Sequence, residues 1–199
     1  MQPLKLIIIR HGETVENASR IVQGHLPGTL SERGREQVRG IALTLEREKL
    51  DAVYSSDLER AHRTAEILME GGGGREAPTI KTDERLREQG FGIYEGKPST
   101  YILRQMKREG KELMNFIPEG GEKYSDFQGR VRSFLDEVKE KHSGETVLLV
   151  THNGVIRILL DALSTGMLPY KNPVANGTVI VAAIDRSGHA TVEHLNPRP

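Results

Sequence analysis

Two histidines hold equivalent positions after two similar runs of sequence. His11 stands just beyond Leu4–Ile9, and His152 just beyond Thr146–Val150. Both runs read as buried strands, and the first, with no polar face, as a central parallel one. In open α/β sheets, sites form outside the carboxyl ends of the strands. If the two strands are parallel neighbours, both imidazoles reach one crevice. Arg10, Asn17, Ser55, Arg60 and Glu88 also fall in or beside strand-end loops. The set holds two imidazoles, two guanidiniums, one carboxylate and several neutral donors. No second carboxylate stands at a spacing suited to a divalent metal, and spacings such as His-x-x-x-His are missing, so no metal is expected. Planar guanidinium forks bind the oxygens of a dianionic oxyanion bidentately. An imidazole among them is a candidate nucleophile toward phosphorus.

These residues must be positioned by a chain of 199 residues, a length that predicts one domain. Lys and Arg number 28 and Asp and Glu number 28, so the formal net charge is zero. That balance lacks the electrostatic footprint of a nucleic-acid or membrane-surface binder. Cysteine is absent, which excludes disulfides and thiol chemistry. The aliphatic runs are too short to span a bilayer, and the amino terminus does not read as a signal peptide, so a cytoplasmic protein is expected. Further strands are predicted at Ala52–Ser55, at the edge at Thr79–Thr82, and in a terminal hairpin of Thr178–Ile184 and Thr191–Leu195. Helices are predicted from Ser31, a candidate N-cap, to about Lys49, after a capping Asp57, over Thr100–Glu109, from Phe127 to about Lys141, and over Val155–Leu163. Residues 10–30 read mostly as loop, and Gly71–Gly74 as a surface loop. Strands alternating with helices imply an α/β fold, here a three-layer α/β/α sandwich on a mostly parallel sheet.

The motifs, taken in order, resemble the histidine phosphatase superfamily, in its phosphoglycerate mutase-like branch. Arg10, His11, Gly12, Glu13 and Thr14, with Asn17, resemble its signature. Gln23 and Gly24 stand at its substrate loop, and Leu30–Gly34 at its first helix start. Tyr54–Ala65, with Arg60 and Thr64, is similar to its second motif, and Leu86–Gly96, with Glu88, to its third. Pro118–Glu122 and Thr151–Arg157 complete the series, which spans about residues 4–184. His25 departs from the aromatic residue common there, and Lys123 from the usual Ser or Thr helix cap.

The resemblance implies that His11 attacks phosphorus and becomes a phosphohistidine. Arg10, Arg60 and a protonated His152 would hold the equatorial oxygens, assisted by Asn17 and the amide of Asn153. Glu88 would be the general acid and then the base, with a carboxyl pKa raised by burial or by substrate charge. Gln23 and Gly24 would bind substrate, His25 is placed to touch it, and Glu13 would orient a site group. No cofactor is implied, and the partner is a small phosphorylated substrate. A segment at about 89–125 reads as a lid-like insertion. Phe91, Tyr94, Tyr101, Met106, Met114 and Phe116 would give it an apolar side, either accepting a range of phosphomonoesters or forming its core, whereas Arg104, Lys107, Arg108 and Lys111 read as a solvated face, with contact to a second phosphate or a carboxylate as the alternative. The short interval between Glu88 and His152 favours a metal-independent phosphomonoesterase. A cofactor-dependent phosphoglycerate mutase and a non-catalytic phosphoryl-ligand binder are the alternatives, and monomer and homodimer both remain open.

Overall fold

A computed structural model of the chain describes residues 2–70, 78–163 and 174–195. The glycine run at 71–74 lies outside them. The elements in chain order are β1 (Leu4–Arg10), α1 (Val15–Ala18), α2 (Glu32–Leu45), β2 (Ala52–Ser55), α3 (Glu59–Glu70), β3 (Ile80–Thr82), α4 (Ser99–Glu109), α5 (Tyr124–Lys141), β4 (Thr146–Thr151), α6 (Asn153–Ala162), β5 (Val179–Ile184) and β6 (Ala190–Leu195). The six strands form one sheet in the order β3-β2-β4-β1-β5-β6. Five run in one direction. Only β5 is reversed, pairing antiparallel with both β1 and β6.

The aliphatic runs occupy the middle of this sheet because neither of their faces tolerates water. Leu6, Ile8, Val147 and Leu149 point to one side, where Phe127 and Phe134 of α5 and Ile156 and Leu159 of α6 cover them. Ile7, Ile9, Leu148 and Val150 point to the other, against Val38 and Ile41 of α2 and Ala61, Ala65 and Leu68 of α3. The result is helix, sheet, helix in three layers, as the alternating pattern predicts. Each fully buried Leu or Ile contributes about 1.5–3 kcal/mol.

Local differences from the sequence reading have identifiable causes. Residues 14–18 form a helical turn, not a loop, because Thr14 and Asn17 cap each other reciprocally. Ser31 does cap α2, accepting from the Gly34 amide at 3.0 Å. The helix ends at Leu45, where the Glu48 amide turns back onto the Leu45 carbonyl. Asp57 does not serve mainly as a cap, since its carboxylate is held by the Arg87 guanidinium. That guanidinium keeps the Asp57 carboxyl below the ordinary range. Gly34 lets α2 approach the backbone after β1, for a Cβ there would lie 2.0 Å from the Glu13 carbonyl oxygen.

Candidate active site

Register brings the histidines together. β1 and β4 pair in parallel, with Arg10 opposite Thr151, and the His11 amide extends the ladder to the Thr151 carbonyl at 2.9 Å. One residue further, the imidazoles of His11 and His152 stand 5.1 Å apart between centroids, inclined at 59°. They are 2% and 0% exposed. His11 Nδ1 lies 2.8 Å from the Gly12 carbonyl. A carbonyl only accepts, so Nδ1 carries the hydrogen and Nε2 keeps its lone pair. Burial, then Arg10 and Arg60, push the His11 pKa well below 6.5. The ring is thus a neutral base at neutral pH.

His152 shares this effect of burial. Burial, with Arg60, His11, Arg10 and Arg130 adding to it, pushes its pKa well below 6.5 too. The ring is neutral at neutral pH, not protonated. Both of its nitrogens are buried without a hydrogen-bond partner in the protein.

The two arginines arrive by different routes. Arg10 ends β1 and donates to the Val174 carbonyl. Arg60 lies in the first turn of α3 at 1% exposure. It donates to the carbonyls of Gly24, at 2.8 Å, Leu26 and Pro27, and so shapes the loop after Gln23. Burial lowers both guanidinium pKa values to about 10, which leaves them charged at neutral pH. The Nε of each is buried without a partner. Thr64, one turn on from Arg60, accepts from the Gly12 amide at 3.1 Å and ties α3 to the histidine loop. Asn17 uses Oδ1 to accept from the Thr14 amide and from Asn176 Nδ2, which leaves its NH2 for a ligand.

Glu88 follows a single turn of 3-10 helix at Glu84–Leu86. Its Oε2 accepts from the Gly154 amide at 3.1 Å, and Oε1 from the Gln89 amide at 3.0 Å. Gly154 sits in the first turn of α6.

A cavity of about 290 Å³ unites most of these groups. Its polar lining consists of Arg10, His11, Asn17, Gln23, Arg60 and Glu88, together with Gly24, and the His152 ring stands 5.1 Å from that of His11. Its apolar lining is Ile21, Val22, Phe91, Ile102, Leu103, Met106 and Leu113. Among the described residues, no three His, Asp or Glu side chains converge as metal ligands. None of the described helices is long and apolar enough to cross a membrane.

Other predicted residues lie elsewhere. The expectation for Asn153 concerns its backbone amide; its side-chain Oδ1 accepts from the Val174 amide at 2.9 Å. Ser55 donates to the Ser56 carbonyl. The Glu13 carboxylate accepts from Ser31 at 3.0 Å and lies 3.6 Å from the Arg33 guanidinium. His25 donates to the Glu88 carbonyl at 2.9 Å. Arg104, Lys107, Arg108 and Lys111 are exposed and none lines the cavity. Of the predicted apolar group, Phe91 and Met106 line it, Tyr94 packs on the buried Phe116, and Tyr101 and Met114 are exposed.

Two supporting residues escaped the sequence reading. Asn176 Nδ2 donates to the His11 carbonyl at 3.1 Å, the Gly12 carbonyl at 3.3 Å and Asn17 Oδ1 at 3.0 Å. Its only sequence signal was the turn-forming pair Asn176 and Gly177. Arg130 forms a bidentate pair with Glu122, at 2.7 and 2.9 Å, and donates to the carbonyls of Arg85, Arg87 and Glu88. An eight-residue spacing from Glu122 was the one available hint.

The model of the histidine phosphatase superfamily (branch 1) matches residues 6–197. Phosphoglycerate mutase-like protein 4 of Arabidopsis thaliana is 37% identical over 167 residues, which cover 79% of this chain and 70% of that protein. Phosphoserine phosphatase 1 of Hydrogenobacter thermophilus is 34% identical, covering 80% and 76%. The crystal structure of the alpha-ribazole phosphatase from Shigella flexneri superposes with a TM-score of 0.82 at 28% identity, covering 96% of each chain. A family match over nearly the whole chain, on a fold with this sheet, leads to one conclusion: the chain belongs to the histidine phosphatase superfamily, branch 1.

Proposed function

We propose that the protein hydrolyses small phosphate monoesters through a phosphohistidine on His11, without a metal. One observation carries this reading. Arg10 and Arg60, each with a buried Nε that lacks a protein partner, line one cavity with the neutral His11 imidazole, and the His152 ring, whose nitrogens also lack protein partners, stands 5.1 Å from His11. Native proteins rarely leave buried polar atoms unpaired, and an oxyanion accepts from the two guanidinium Nε–H groups and from one N–H of His152. The phosphatase names of two of the relatives described above support hydrolysis over other phosphoryl chemistry.

In this reading His11 Nε2 forms a bond to phosphorus as the ester P–O bond breaks in line. Arg10, Arg60, His152 and the Asn17 amide group hold the oxygens, where charge stabilisation and alignment do most of the work. The bound dianion offsets the cations around His152 and favours its protonation. Glu88 gives its proton to the departing alkoxide. It then takes a proton from water as that water attacks phosphorus, which releases inorganic phosphate and restores His11. Gln23 and Gly24 form the loop beside the ester group. The acid-type class and a monomeric or homodimeric state belong to the same proposal.

The test is phosphate release from a panel of phosphorylated metabolites in EDTA, with isomer formation followed in parallel. Free phosphate that persists with the chelator, with an acid-labile, base-stable phosphoenzyme after acid quench, supports the reading. Isomerisation without free phosphate would make the protein a mutase. Binding without turnover would make it a phosphoryl-ligand binder.

A further inference from the structure

We propose that the apolar lining of the cavity is a subsite for the uncharged alkyl or aryl group of a phosphate monoester, with Leu103 and Met106 setting that preference. The inference rests on the reading above for where the phosphoryl group sits. It goes further by naming the class of ester.

The cavity has two kinds of lining. Its charged side chains are Arg10, Arg60 and Glu88, and Ile21, Val22, Phe91, Ile102, Leu103, Met106 and Leu113 supply apolar surface. Among the described residues no cation besides Arg10 and Arg60 lines it. Helix α4 carries Arg104, Lys107 and Arg108, but these are exposed and outside the cavity, while Ile102, Leu103 and Met106 of the same helix line it. The helix is therefore turned so that its aliphatic side meets a ligand and its charges meet solvent.

The apolar wall is not simply core. Ile102 is 6% exposed and is held by packing, yet Leu103 beside it is 58% exposed while lining the cavity. Five of the eight exposed large apolar side chains among the described residues, Ile93, Tyr101, Leu103, Met114 and Ile117, fall in this one segment. Leu103 thus offers apolar surface that the fold does not use and that a ligand anchored at the arginines would cover. A second phosphate or a carboxylate on that ligand would instead lose water against Leu103 and Met106 and gain no partner.

Phosphonates read this subsite without turnover. Binding of methylphosphonate, n-hexylphosphonate and 3-phosphonopropionate is measured by titration calorimetry on the whole protein. We expect hexylphosphonate to bind at least about tenfold tighter than methylphosphonate, with a more negative heat-capacity change. The carboxylated ligand should bind no tighter than methylphosphonate. Leu103→Ser, at an exposed position, and Met106→Lys should each shrink the hexyl advantage. Equal affinities, a tightest carboxylated ligand, or a hexyl advantage undiminished in both variants would overturn the proposal. If the chain-length trend appears and no ester is hydrolysed, the subsite stands and the hydrolytic reading falls. If esters are hydrolysed and the trend is flat, the reverse holds. Failure of all three ligands to bind rejects both.

Discussion

The Gly154 amide, two residues beyond His152, donates to Glu88 Oε2 at 3.1 Å. The carboxylate proposed to move protons is thereby bonded to the helix that begins at the second histidine. Close approach makes this possible. A Cβ on Gly154 would stand 2.3 Å from Glu88 Oε1 and 3.0 Å from the Phe127 ring.

Gly154→Ala should therefore displace Glu88 more than it unfolds the protein. Overpacking of this kind costs about 1–3 kcal/mol. We expect a lowered melting temperature and a kcat loss of about tenfold or more on an alkyl phosphate. Unchanged kcat would show that Glu88 tolerates displacement.

Glu88→Gln separates proton transfer from binding. On an alkyl phosphate the loss should be about 100- to 10,000-fold in kcat. On p-nitrophenyl phosphate, whose leaving group needs no proton, the chemical step should lose far less. Equal losses on both substrates would count against general acid catalysis.

Acid should weaken the fold through the two buried imidazoles. Both have folded-state pKa values below the 6.5 of the unfolded chain. Below pH 6.5 the unfolded state holds the extra protons, so this contribution is full above that pH. It is lost as pH falls toward the folded values, by up to about 1.4 kcal/mol per pH unit for each ring. Urea midpoints between pH 7 and pH 5 should fall more steeply in the wild type than in His152→Gln. The same shift places the acid limb of kcat/KM below pH 6.5, because neutral His11 is the attacking form.

Asn176 positions the histidine loop through its amide hydrogens, all directed at oxygen atoms. Asn176→Asp replaces donors with a carboxylate facing those oxygens. It should reduce phosphate affinity and kcat more than Asn176→Ala does, although Asp is the closer match in shape. A milder effect from Asp, by phosphate titration and steady-state kinetics, would refute this role.

Arg130 holds three carbonyls of the Glu88 segment, a task a lysine cannot share. Arg130→Lys should lower kcat on an alkyl phosphate more than on p-nitrophenyl phosphate, with KM little changed. Parallel losses on both would indicate a general structural role.

Residue type alone determined much here. The unbroken aliphatic character of Leu6–Ile9 and Val147–Val150 marked two buried central strands, because a central strand exposes neither face to water. Imidazoles and guanidiniums just past strand ends announced anion chemistry, since those groups keep their character wherever the chain carries them. What only the tertiary structure decided is how distant groups share space. The parallel register of β1 and β4 set His11 beside His152, and burial, with Arg10 and Arg60 adding to it, lowered the pKa of both rings. Asn176 and Arg130 left no trace in the motifs because they work on backbone carbonyls, which every residue carries. Asp57 and Asn153 found partners in Arg87 and Val174, contacts that spacing along the chain does not encode. Local sequence specifies the donors and acceptors, whereas protonation state and partner choice depend on a field and a packing that exist only after folding.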